Sequence, residues 1–393
     1  MFRRNSSRVM LFLFFSYSTM TIFTTFMPVF FRENGLTNSE IGTLLAVGPL
    51  AAILSQPIMG FISDKYKSIK MTLLICLIGS ILISLILIQV SSFIGYVIVL
   101  FLFFSFVSSV NPLGDSLAKQ TAEEENSSFG YIRMWGSLGF GVSALVVGYI
   151  LSLIGVSSIF FLILACLVIT FLIALSLENP TKVSKKATIL DLVKMGTEPK
   201  LFIFLFFVMF ISITHRTNDN FLGLYILELG GDESYIGVAT FIGVATECIV
   251  LATGAFWFRR FHETTFIMIA GILYCIRWLL MAIITEPSVV LVLQLLHGVT
   301  FGILFLSAFQ YTSKILPSHL QATGHVLFYT ILFGVSAIIG TLAGGAIIDY
   351  FSMQVLYFLM SILAAIGVGL LGIYRLKFSA NSKKTQNESV LKV

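Results

Sequence analysis

The sequence predicts an all-α membrane protein: twelve transmembrane helices arranged as two six-helix bundles. Three observations predict it. Hydrophobic residues make up 57% of the 393-residue chain and charged residues only 11%. A soluble domain carries about 25% charged residues, so this chain has too few to cover a water-facing surface. The apolar runs are about 20 residues long, the length that spans the hydrocarbon core of a bilayer, and they do not alternate as strands would. The basic residues, finally, fall on every second loop.

The apolar runs place helix 1 at 9–31, helix 2 at 41–62, helix 3 at 71–90, helix 4 at 93–118, helix 5 at 131–153 and helix 6 at 157–177. After a polar stretch, helix 7 is predicted at 201–227, helix 8 at 235–257, helix 9 at 265–284, helix 10 at 288–311, helix 11 at 321–346 and helix 12 at 352–374. Helix 1 follows a basic start (Arg3, Arg4, Arg8). It has spanning length and no small-x-small cleavage site, so it reads as a retained span rather than a signal peptide. The domains expected are an N-terminal bundle at 1–177, a cytoplasmic linker at 178–200, a C-terminal bundle at 201–375 and a disordered cytoplasmic tail at 376–393.

Charge tests this map. Of 24 Lys and Arg, all but Arg32, Arg133, Arg216 and Arg277 lie on one set of alternating loops or at the two ends. The positive-inside rule makes that side cytoplasmic, with both termini on it, in the cell membrane. The opposite loops carry Glu228, Asp232, Glu233, Glu286 and Asp349. The net charge of +5 is therefore a topology signal and not a nucleic-acid footprint. Cys76, Cys166, Cys248 and Cys275 lie in apolar runs with no Cys-x-x-Cys pair, which predicts packing roles and no metal.

Ionisable residues within the spans are costly and face a partner or a wet passage. Asp115 and Arg133 lie on helices 4 and 5, joined by a short acidic loop (Glu123, Glu124, Glu125). They form either a bidentate pair or two separate solute ligands. Trp135 is either a stacking platform for a solute or an interfacial anchor. Helix 7 carries His215-Arg216-Thr217-Asn218-Asp219-Asn220, in which Arg216 and His215 share a face with Asp219. Either a cavity lining or a packing network follows. Glu247, Arg277 and His297 make a third group, with Glu247 and Arg277 able to pair and His297 able to titrate near neutral pH. Gly340, Gly344 and Gly345 offer a close-packing face.

Gly60-Phe61-Ile62-Ser63-Asp64-Lys65-Tyr66-Lys67 resembles the loop 2–3 signature of the major facilitator superfamily, with Lys67 where a second glycine is usual. The matching loop 8–9 keeps Gly254, Arg259 and Arg260, but Phe258 replaces the acid. Further pieces, Arg133–Phe140, Ala245-Thr246-Glu247, Arg277-Trp278 and Leu296–Gly302, resemble the branch that contains phenylpropionate permease and lactose permease, across essentially all twelve helices. The resemblance implies that Gly60, Asp64 and Lys65 belong to a gating loop. It also implies that Asp115 and Arg133 bind solute and that Glu247, Arg277 and His297 match functional positions. The proton-carrying glutamate three residues after the histidine is Thr300 here, which cannot titrate.

The function expected is a secondary active transporter, not an enzyme: a proton-coupled symporter of a sugar, nucleoside or aromatic acid working by alternating access. Substrate contacts are expected from Asp115, Arg133, Trp135, Arg216, Asn218, Asp219 and Arg277. Proton coupling is expected from Glu247, His297 or Asp219. Glu247 ranks first because burial among apolar neighbours penalises the ionised form. The partners are the solute, protons and the bilayer. The proton gradient replaces any cofactor, and the chain is expected to act as a monomer. The alternative is an efflux antiporter. No His-Glu-x-x-His or Gly-x-Ser-x-Gly motif supports an enzyme.

Overall fold

The computed structural model describes residues 4–179, 199–257, 262–316 and 321–390. Twelve helices among them are long and apolar enough to cross a membrane. They are α1 (Asn5–Glu33), α2 (Asn38–Lys65), α3 (Ile69–Leu87), α4 (Phe93–Glu125), α5 (Phe129–Ile154), α6 (Val156–Leu175), α7 (Pro199–Glu228), α8 (Glu233–Ala252), α9 (Glu263–Met281), α10 (Pro287–Ile315), α11 (Gly324–Tyr350) and α12 (Met353–Lys377). The basic residues expected at Lys182, Lys185, Lys186, Lys194, Arg259 and Arg260, and most of the linker, lie outside the described residues.

Several boundaries differ from the sequence reading, each for a local reason. Helix α4 runs on through Glu123, Glu124 and Glu125, which form its last turn instead of a loop. It stops only where Asn126 adopts the left-handed conformation at φ 51°. Within α4 the chain breaks between Val107 and Val110. Pro112 has no N–H to donate to the carbonyl four residues back, and that carbonyl, of Ser108, accepts instead from Gln56 Nε2 of α2 at 3.0 Å. Helix α8 ends at Ala252, and residues Gly254–Trp257 form a separate turn of helix. The tail expected to be disordered continues the last helix to Val390. No proline or glycine follows Gly372 to stop it, and Lys383, Lys384, Gln386 and Glu388 all favour helix.

The loop after α2 shows why a glycine is usual at Lys67. Lys67 has φ 50°, the left-handed conformation that closes a helix end. Ser68 N–H then returns to the Ser63 carbonyl at 3.1 Å, and Ser68 Oγ caps α3 by accepting from Met71 N–H at 3.0 Å.

Each half packs mainly within itself. In the first, α1 packs on α4, α5 and α6, and α2 and α3 pack on α4; in the second, α7 packs on α11 and α12, α8 on α10, and α9 on α10 and α12. The halves meet through α5 with α8 and α2 with α11, with smaller contacts of α1 on α7 and α8. These crossings are close because glycines stand in them. A Cβ on Gly148 would fall 2.5 Å from the Glu233 carbonyl oxygen, and one on Gly42 would fall 2.2 Å from that of Thr341. Gly148, Gly42 and Gly345 all lie within two turns of the helix ends opposite the chain termini. The halves are thus shut on that opposite face. On the terminal face, the segment Val110–Glu125 finds its main partners only in its own half. Among the described residues the halves are parted there, for the Asp115 side chain stays 30% exposed and Tyr329 45% exposed.

Candidate solute and proton site

Three helices of the first half build one polar cluster. Asp115 stands ten residues inside the end of α4, about 15 Å along the axis, because α4 is longer than the sequence reading allowed. Arg133 Nε of α5 lies 2.8 Å from Asp115 Oδ1. Tyr17 of α1, which sequence reasoning missed, donates its hydroxyl to Asp115 Oδ2 at 3.0 Å. Its ring lies under the Arg133 guanidinium at 4.2 Å. Gly136 makes room for this stack, since a Cβ there would fall 2.7 Å from the Tyr17 ring and 2.8 Å from Arg133 Nη1. The side chains of Asp115 and Arg133 are each 30% exposed, so the pair reaches the gap. Trp135 packs partly against the apolar core, and its Nε1 is buried without a hydrogen-bond partner among the described residues.

The second half supplies a larger cluster. On α7, Arg216 Nη1 lies 3.1 Å and His215 Nε2 3.4 Å from Asp219 Oδ2, as their helical spacing requires. His215 Nδ1 bonds the Tyr274 hydroxyl of α9 at 2.9 Å, and its ring stacks on Phe301 of α10 at 4.2 Å. Arg216 lies over Phe333 of α11 at 4.6 Å and near Phe301 at 5.3 Å. His297 Nε2 faces Glu247 Oε2 of α8 at 3.9 Å. That approach depends on Gly298, where a Cβ would fall 2.2 Å from the Thr246 carbonyl carbon.

Two expected solute ligands are placed elsewhere. Arg277 does not pair with Glu247. It is 1% exposed, donates to Thr300 Oγ1 at 3.2 Å and to Gln294 Oε1, and lies over the Trp278 ring. A guanidinium has five donors and needs acceptors on several sides, and α10 offers two neutral ones within reach. Thr300, the position that resemblance made a lost glutamate, therefore serves as a structural acceptor. Asn218 is also 1% exposed and accepts from the Tyr357 hydroxyl at 3.2 Å, because the helix turns it away from Arg216 and toward α12. In the expected gating loop, a Cβ on Gly60 would meet nothing within 4 Å, so the approach to the loop faces open space. Lys65 Nζ lies 5.8 Å from the Tyr66 ring.

An aromatic wall was also missed. Phe301, Phe305 and Phe309 follow one another every four residues on α10, and they pack against Phe328, Tyr329 and Phe333 of α11. The i, i+4 spacing was readable in the sequence, but not which face it lined. Helix geometry is widened nearby into π-turns at Ile22–Phe26, Gly298–Gly302 and Thr330–Val335, a local form frequent at functional sites. Ligand atoms of His215, Asp219 and His297 lie within 4.8 Å of one another. Arg216 already holds the Asp219 oxygen, so a metal cation would meet a fixed positive charge there.

Two helix bundles shut on one face, with charged groups of both facing a gap, define a membrane solute carrier. The chain belongs to the MFS_1-like family of the major facilitator superfamily, whose family model matches residues 7–359. It is 30% identical to the "Uncharacterized transporter YwbF" of Bacillus subtilis, over 91% of this chain and 90% of that protein. It is 26% identical to the maltose permease of Geobacillus stearothermophilus, over 87% of each. The probable 3-phenylpropionic acid transporter of Escherichia coli is also 26% identical, over 89% of this chain and 92% of the relative. The crystal structure of the nucleoside transporter NupG superposes with TM-score 0.84 over 96% of this chain and 99% of that one, at 17% identity. These relatives are membrane transporters rather than enzymes, and the chain is a multi-pass membrane transporter.

Proposed function

We propose that this protein is a proton-coupled symporter of a neutral hydroxylated solute, a sugar or a nucleoside, with its termini and open face in the cytoplasm. The observation that carries the reading is an asymmetry among three carboxylates. Asp115 and Asp219 each sit on an arginine, at 2.8 Å and 3.1 Å. Glu247 has the His297 imidazole as its only basic partner within 4.0 Å among the described residues. A carboxylate held by a guanidinium stays ionised, whereas one facing only an imidazole can gain and lose a proton without stranding a positive charge.

The same pairing argues for a neutral solute. The two arginines at the gap, Arg133 and Arg216, are already compensated, so an anion would have to displace a carboxylate. A hydroxylated ring can instead donate to Asp115 and accept from Arg133 while its apolar face lies on the aromatic wall. The maltose permease relative fits this class and the equally similar probable 3-phenylpropionic acid transporter an aromatic acid, and the compensated arginines favour the neutral solute.

The test is transport in proteoliposomes holding only this protein. Glu247→Gln is expected to abolish solute accumulation driven by a pH gradient while leaving solute exchange at equal pH within about twofold of the parent. Full gradient-driven accumulation by Glu247→Gln would remove Glu247 from the proton path. An uptake rate independent of any pH gradient in the parent would remove symport altogether.

A further inference from the structure

We propose that Asp349 is a latch that holds the outer face shut by binding the backbone at the start of α2 in the other half. Asp349 sits in the last turn of α11. Its Oδ1 accepts from the Asn38 backbone N–H at 3.0 Å and from Asn38 Nδ2 at 2.7 Å, and its Oδ2 accepts from the Ser39 backbone N–H at 2.7 Å.

These donors are the ones a helix cannot satisfy for itself. The first N–H groups of a helix have no partner within it, and the N-terminus carries a partial positive charge. Thr37 caps α2 from its own chain, taking the Glu40 N–H at 3.2 Å, while the Glu40 carboxylate accepts from the Thr37 N–H at 2.9 Å. That leaves the N–H groups of Asn38 and Ser39, and both go to a carboxylate 310 residues or more away in sequence. Arg32, at the end of α1, donates to Asn38 Oδ1. It thereby turns the amide so that its NH2 group faces Asp349.

The latch exists only while the two halves touch. Directly behind it a Cβ on Gly345 would fall 2.2 Å from the Asn38 carbonyl oxygen, and one on Gly42 would fall 2.2 Å from that of Thr341. Helices this close cannot separate without breaking all three bonds at once. When the outer face opens, Asp349 and the start of α2 must exchange each other for water. The carboxylate therefore biases the carrier toward its inward-open form, whatever solute it carries. This inference rests on the cytoplasmic placement of the termini proposed above, on the fold and on the contacts between halves, not on the proton or solute assignment.

Spin labels on Ser91 and Glu286, exposed outer-loop positions in opposite halves, report the opening without any solute. They are placed in a background with the four cysteines replaced, and distances are read by pulsed electron spin resonance. In Asp349→Ala the population at longer separation is expected to grow about fivefold, as loss of three partly exposed hydrogen bonds predicts. Asp349→Asn, which keeps one acceptor oxygen, is expected to fall between Asp349→Ala and the parent, and it carries the test if Asp349→Ala does not fold. Glu228→Gln removes an outer charge that the latch does not use and is expected to leave the distribution unchanged. A parental distribution in Asp349→Ala or in Asp349→Asn overturns the latch, as does an equal shift in Glu228→Gln. Either result leaves the transport reading standing.

Discussion

Tyr17 touches both members of the Asp115–Arg133 pair at once, donating its hydroxyl to the carboxylate at 3.0 Å and offering its ring to the guanidinium at 4.2 Å. One side chain thus joins α1 to α4 and α5. If Arg133 swings to a solute, the Tyr17 hydroxyl remains to hold Asp115. Tyr17→Phe keeps the stack and loses the bond, worth about 1 kcal/mol at this partly exposed site, so solute affinity is expected to fall about fivefold. Tyr17→Leu loses the stack as well, and a total fall of about 30-fold is expected. Calorimetric titration with the transported solute separates the two. Equal affinities for Phe and Leu variants would show that the ring face does not matter.

Arg277 separates structure from binding. It is buried on Gln294 and Thr300, so Arg277→Gln is expected to destabilise the fold by about 3 kcal/mol, read as a clear drop in the thermal midpoint of the purified protein. Solute affinity of the folded fraction is expected to stay within about twofold of the parent, which follows from its 1% exposure. A large loss of affinity at unchanged stability would instead return Arg277 to the solute site.

Asp232 carries a pH dependence that can be checked outside the membrane. It caps α8, accepting from Ser234 Oγ at 2.5 Å and from the Tyr235 N–H at 3.0 Å. The Ser234 bond, with the backbone N–H groups, holds its carboxyl below the ordinary carboxylate range. A carboxyl lowered by folding stabilises the fold above its unfolded value, and that share is lost as pH falls through the folded value. Asp232→Ala is expected to cost about 1 kcal/mol at pH 7. The gap between variant and parent in thermal midpoint is expected to shrink below about pH 4. A gap that stays constant down to pH 3 would mean that the cap is not acting through its charge.

The sequence by itself determined the class, the helix number and the family. Helix spans announce themselves through the water-to-lipid transfer energy of about twenty consecutive side chains, a sum that any one neighbour cannot reverse. It also marked the residues too polar for lipid, and the shared face of Arg216 and Asp219 followed from helical spacing alone. Tertiary structure decided which of these charges meet. Arg277 turned from Glu247 to Gln294, Asn218 turned to Tyr357, and Tyr17, an unremarkable residue of an apolar run, became the centre of the first cluster. Asp349 looked like an ordinary charge on a loop opposite the termini until α2 was placed against it. The reason is geometric: spacing along one helix sets which side chains share a face. What lies opposite that face depends on how separate helices cross, and a carboxylate's role depends on that opposite partner.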